Sequence, residues 1–107
     1  MSNTLVLADV VQILISLAED LEAAKDHLNE LDAAIGDGDM GISMSRGFRS
    51  VREGLKDPPQ DIRQLLMKVG LILSNSAAST AGALLSTAFV RAAREVQNPA
   101  SVTLSDV

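Results

Sequence analysis

The sequence predicts an all-α protein, an antiparallel bundle of four to five helices in one small domain. Three observations point there. The 107 residues include no Trp or Tyr and only two Phe, Phe48 and Phe89. The core must therefore be built from Leu, Ile, Val, Met and Ala, a mixture that favours close-packed helices over an aromatic-rich sandwich. Apolar residues recur at three- and four-residue spacing along most of the chain. No convincing strand and no internal repeat interrupts them.

Residues 4 to about 24 read as an amphipathic helix, with Thr4 as its N-cap and Leu7, Val10, Val11, Leu14, Leu17, Ala18 and Leu21 on one face. The stretch from Lys25 to Ala34 continues as a shorter or kinked helix that turns Leu28 and Leu31 inward. Gly36, Gly38 and Gly41 then end the pattern, because each glycine in a helix interior costs ~1 kcal/mol relative to Ala. A second long helix is expected from Met40 to about Leu55, with Met44, Phe48, Val51 and Leu55 as its stripe. Pro58 and Pro59 stop it. Asp61 followed by Gln64 resembles a capping box and opens a helix through Leu65, Leu66, Val69, Ile72 and Leu73. Ser74 to Thr80 reads as a small polar break, and a further helix spans about Ala81 to Gln97. Thr103 to Asp106 has the look of one more helix start, so the chain reads as cut rather than finished.

Composition excludes several classes of function. Net charge is −5 and no basic block is present, so nucleic acid is not an expected partner. There is no cysteine, hence no disulfide framework and no thiolate metal site. The first residues carry no positive n-region, and the apolar runs are short. Neither a signal peptide nor a membrane span is expected, and a cytoplasmic location is the default.

The informative segment runs from Leu31 to Phe48. Asp32, Asp37 and Asp39 place three carboxylates within eight residues. Like charges this close repel unless a counter-charge is supplied. A hard divalent cation supplies it: Mg²⁺ takes carboxylate and water oxygens at about 2.0–2.1 Å and keeps positions open for phosphates. The glycines allow a tight turn and let backbone N–H groups approach an anion, with a helix N-terminus just beyond. The competing reading is a solvated turn whose aspartates cap the next helix. A calcium EF-hand fails, because the fifth position counted from Asp37 is Gly41 and the twelfth is Phe48 rather than Glu.

The run Leu31-Asp32, Gly36-Asp37-Gly38-Asp39-x-Gly41 and Met44-x-Arg46-Gly47-Phe48 resembles the signature of the nucleotide-binding (L) subunit of dihydroxyacetone kinases. The resemblance extends through Ile72-Leu73-Ser74 and Gly82-x-Leu84 to Thr87-x-Phe89-x-Arg91-Ala92-Ala93. It implies a barrel of eight antiparallel helices, of which residues 1–107 would be about the amino-terminal half. It also implies two Mg²⁺ ions held by Asp32, Asp37 and Asp39, which in turn hold the phosphates of ADP or ATP. Gly38, Gly41, Ser43, Arg46, Ser79, Thr80 and Gly82 are the expected nucleotide contacts. No general base is expected on this chain, since phosphoryl transfer needs positioning more than covalent chemistry. The small ketose would sit on a substrate-binding kinase subunit. Two donors stay open: exchangeable ATP, or bound ADP rephosphorylated by a phosphotransferase-system protein.

The sequence departs from the family pattern at several positions. Met40 stands where the family commonly has His, and Ser43 where it often has Asn. Ala78-Ser79-Thr80-Ala81-Gly82-Ala83 replaces a Gly-Gly-Ala-Ser-Gly-Pro loop. A related fatty-acid kinase domain usually has Pro where this chain has Gly36. The family domain is about twice as long, so half a barrel would expose apolar inner stripes. The alternative reading is therefore non-enzymatic: a helical interaction module that self-associates and has lost nucleotide binding. Arg46 is placed either to meet phosphate or to pair with a nearby carboxylate. The lone His27 reads as a solvated residue beside Asp26 and Glu30.

Overall fold

A computed structural model describes residues 4–34, 36, 38–77 and 79–103. Its elements are β1 (Thr4–Val6), α1 (Leu7–Ala23), α2 (Lys25–Ala33), α3 (Met40–Gly54), α4 (Ile62–Ser76), α5 (Thr80–Glu95) and β2 (Ser101–Thr103). Helix α2 follows α1 after a single residue, Ala24, and the two form one leg. Backbone hydrogen bonding runs through the joint, from the Ala24 amide to the Asp20 carbonyl and from the Leu28 amide to the Ala24 carbonyl. Helix α3 returns along both, with Asn29 opposite Gly41 and Glu22 opposite Arg49 and Arg52. Gly47 faces Leu73 and Ala77 while Gly54 faces Ile72, so α4 runs antiparallel to α3. Gly82 against Ala77 and Gly70 against Ser86 set α5 antiparallel to α4. The legs thus alternate up and down, as the sequence predicts.

The core follows from the stripes. Met44, Phe48, Val51 and Leu55 of the α3 leg are all at most 5% exposed. They meet Leu14 and Ala18 of α1, and Leu65, Val69 and Leu73 of α4. Asp61 caps α4 by accepting from the Gln64 amide at 2.7 Å, the local bond its spacing predicts.

Several expectations are corrected. Thr4 is not a helix cap: it lies in β1, and α1 begins after Val6, whose amide donates to Asp9 Oδ2 at 3.0 Å. Two short strands do exist, pairing antiparallel with Thr4 opposite Thr103 and Val6 opposite Ser101. Their partners lie at the two ends of the chain, so no local pattern signals the pairing. Leu31 is 56% exposed rather than inward. It stands two residues from Asn29, which faces α3, and so points to the far side of α2. Leu17 is also exposed, at 39%. The break expected from Ser74 is narrower than predicted, because α4 continues to Ser76 and Ala and Ser do not forbid helix. The helix start at Thr103–Asp106 falls on the end of β2 and on residues outside the described ones.

Among the described residues, two ion pairs made by Glu22 tie α1 to α3. Glu22 accepts from Arg52 Nε at 2.8 Å and Nη2 at 3.0 Å, and more loosely from Arg49 Nε at 3.4 Å. The Arg52 hydrogen bonds hold the Glu22 carboxyl below its ordinary value of 4.5, against a smaller opposing effect of burial. A carboxyl that is more acidic folded than unfolded stabilises the fold above the ordinary glutamate range. That contribution is lost as pH falls through the folded value. Glu22→Gln should therefore lower stability at neutral pH and flatten its decline below the ordinary glutamate range, measured by denaturant titrations across pH. An unchanged acid limb in the variant contradicts this assignment.

Candidate nucleotide and metal site

The end of the bundle where α2 and α4 finish and α3 and α5 begin carries the acidic loop. Helix α2 presents Asn29 and Asp32, three residues apart and so on one face, to the start of α3. Asp32 Oδ2 accepts from the amides of Gly38 at 3.0 Å, Asp39 at 3.0 Å and Met40 at 3.2 Å. Asn29 Oδ1 accepts from Gly41 at 2.7 Å and Ile42 at 3.2 Å. These two side chains satisfy the amides that the first turn of a helix leaves without partners. Two glycines make the approach possible. Gly38 has φ +78°, a left-handed conformation that glycine adopts without strain. A Cβ at Gly41 would fall on the Lys25 carbonyl oxygen, so α2 and α3 touch there backbone to backbone.

A cavity of about 330 Å³ opens beside this cap, lined by Asp32, Gly36, Asp39, Met40, Ser79, Thr80 and Ala81. Asp32 is half-buried and Asp39 exposed. The Asp39 carboxylate makes no hydrogen bond or ion pair among the described residues, although Asp39 occupies the N-cap position of α3. Among the described residues, no basic side chain lines the cavity. The opposite wall is the N-terminus of α5. Ser79 caps that helix by accepting from the Gly82 amide at 3.0 Å, and its hydroxyl also accepts from Ser43 Oγ at 2.7 Å. The amides of Thr80 and Ala81 have no acceptor among the described residues, and they stand at a positive helix end.

The residues predicted from sequence therefore separate into groups. Asp32, Asp39, Ser79 and Thr80 share the cavity, and Ser43 joins them through Ser79. The amides of Gly38 and Gly41 are committed to Asp32 and Asn29. A Cβ at Gly82 would fall on the Ala77 carbonyl oxygen, so this glycine lets α5 close onto the end of α4. Arg46 is exposed in a different depression, with Lys25, Ser45 and Arg49. Asp37 lies outside the described residues, and among the described residues no three carboxylate or imidazole side chains converge as a metal cluster. His27 is exposed on α2, as expected. Sequence reasoning missed Asn29; its three-residue spacing to Asp32 on one helix face was the available signal.

The fold and site define an antiparallel α-helical protein with a small acidic mouth facing a helix N-terminus. The DAK2 domain description matches residues 34–107, and the chain belongs to the DAK2 domain family. It is 34% identical over 99 residues to the ADP-binding subunit DhaL of the PEP-dependent dihydroxyacetone kinase of Escherichia coli, covering 92% of this chain and 47% of that one. It is 37% identical over 92 residues to human triokinase/FMN cyclase, covering 84% of this chain and 16% of that protein. The DhaL subunit of PEP-dependent dihydroxyacetone kinase 2 of Listeria innocua is 34% identical over 90 residues, covering 81% of this chain and 42% of that one. The chain thus spans about half the length of the bacterial subunits. No helix among the described residues is long and apolar enough to cross a membrane.

The two aspartates should behave differently without any ligand. Asp32→Ala strands three amides and should cost ~1–3 kcal/mol, whereas Asp39→Ala should fall within ~0.5 kcal/mol of the parent. Denaturant unfolding in EDTA measures both. Equal losses would contradict the division between a capping and a free carboxylate.

Proposed function

We propose that this chain is the Mg²⁺-dependent ADP- or ATP-binding part of a dihydroxyacetone-type kinase. Phosphoryl transfer goes to a small ketose held on a partner subunit. The observation that carries this reading is the cavity itself, as the described residues form it: two carboxylates without a basic partner on one wall, and amides without an acceptor at a helix N-terminus on the other. The first wall suits a hard cation and the second suits a phosphate. The bacterial relatives are ADP-binding subunits of PEP-dependent dihydroxyacetone kinases, and they supply the nucleotide and the reaction in this reading.

Asp32, Asp37 and Asp39 would hold the metal, with Oδ1 of Asp32 the oxygen not engaged by the α3 cap. Bound Mg²⁺ supplies charge neutralisation and a template for the phosphate oxygens. The protein's own part is positioning. Ser79 accepts from both Ser43 and Gly82, which leaves its own hydroxyl proton free to donate into the cavity. The Thr80 and Ala81 amides offer two more donors beside it. Gly38 and Gly41 shape the loop, with their amides already spent on α2. The reading includes residues 1–107 as part of a longer helical barrel domain, a substrate-binding partner subunit, and either ATP or a phosphotransferase-system protein as donor.

Thermal melts in EDTA, in Mg²⁺, and in Mg²⁺ with ADP test the reading. A ligand that binds only the folded form adds ~2.7 kcal/mol at a hundredfold excess over its dissociation constant. The rise should need Mg²⁺ and ADP together and should vanish in Asp39→Asn, which keeps the fold. A flat response from a chain that melts cooperatively would contradict nucleotide binding by these residues.

A further inference from the structure

The second polar depression lies outside the acidic mouth. Ile42, Ser45, Arg46 and Arg49 are spaced as one stripe along α3, and Lys25 stands across from them at the start of α2; together they line a pocket of about 130 Å³. The side-chain-free approach of the two helices at Gly41 brings Lys25 beside this stripe. The charge here runs against the rest of the molecule. The chain has 14 acidic and 9 basic residues, yet three of the basic ones meet at this small pocket.

Neighbouring carboxylates do not neutralise it. Among the described residues the one carboxylate paired with any of these side chains is that of Glu22, and Arg52 holds it through two bonds of 2.8 and 3.0 Å. Arg49 has only the looser contact at 3.4 Å, with its side chain 60% exposed. Lys25 and Arg46 have no ion pair among the described residues. Ser45 is 4% exposed, and its hydroxyl makes no hydrogen bond among the described residues while lining the same pocket. Three cations and an uncommitted hydroxyl around so small a space match one oxyanion and are too confined for a nucleotide.

We propose that Lys25, Ser45, Arg46 and Arg49 form a binding site for a single phosphate group in the groove between α2 and α3, separate from the acidic mouth. The phosphate is either the free ion or the head of a small phosphomonoester. Arg46 and Arg49 supply forked donors, Lys25 a point charge, and Ser45 a neutral donor at the floor.

Titrating the chain with inorganic phosphate in EDTA, followed by amide NMR, tests this without recruiting the aspartates through a metal. Saturable shifts are expected at Ser45, Arg46 and Arg49. Arg46→Gln, at an exposed position, should weaken the affinity about tenfold or more, and added salt should weaken it further. Asp39→Asn should leave it unchanged. A parallel titration with O-phosphoserine separates the sources: shifts with both anions indicate a phosphomonoester site, and shifts with inorganic phosphate alone a site for the free ion. Absence of saturable shifts with either anion, shifts confined to residues 79–82, or full affinity in Arg46→Gln would each overturn the proposal.

Discussion

The carboxylate of Asp32 accepts from three consecutive amides at the start of α3, and Asn29 takes the next two. Much of the site end of the molecule depends on that cap. It joins the end of the first leg to the start of the second, and it holds the glycine loop against α2. It also fixes where charge can go. With five amides committed, α3 has no free positive end to offer a phosphate. At the start of α5 the amides of Thr80 and Ala81 have no acceptor among the described residues, and the proposed function gives them the phosphate. Asp32 is thus both the structural keystone of the loop and one wall of the cavity. The Asp39 carboxylate, by contrast, makes no hydrogen bond or ion pair among the described residues.

The rest of the bundle positions these two helix starts. Antiparallel packing of α3, α4 and α5 puts the beginnings of α3 and α5 at the same end. The Ser43–Ser79 hydrogen bond at 2.7 Å is the direct link between them. Glycines at the close approaches of α2 with α3 and of α4 with α5 leave no room for a side chain, so the end of the bundle is tightly set. The curated bacterial relatives are about twice as long as this chain. The exposed Ile13, Leu71 and Leu84 are compatible with further helices packing here, and the kinase reading rests on that larger assembly.

Much of this was legible in the sequence. The stripe Met44, Phe48, Val51 and Leu55 announced α3 and its buried face, and Asp61 with Gln64 announced the start of α4. The aspartate loop stood out because three carboxylates within eight residues call for a counter-charge, although Asp and Gly are also ordinary turn residues and Asp32 does serve as a cap. What the sequence hid was non-local. The pairing of Thr4–Val6 with Ser101–Thr103 joins segments about a chain length apart, which no periodicity reports. The capping role of Asp32 sat among the readings left open for the loop, and its three amide partners depend on how the loop folds back onto α2. Ser79 was expected beside phosphate, while its bond to Ser43 depended on the packing of α3 against α5. Arg46, grouped with the loop by the motif it belongs to, faces another groove because it lies on the α3 stripe of Ile42, Ser45 and Arg49.

The central claim is that the Asp32–Asp39 wall and the α5 N-terminus form one metal–nucleotide site. Substituting Mn²⁺ for Mg²⁺ in the presence of ADP and recording paramagnetic broadening of backbone amides tests it directly. Broadening falls steeply with distance, so the account predicts loss of signal for residues 38–40 and 79–81 together, with Arg49 and Arg52 spared. Broadening centred on another part of the bundle, or none at saturating Mn²⁺ and ADP, would contradict it.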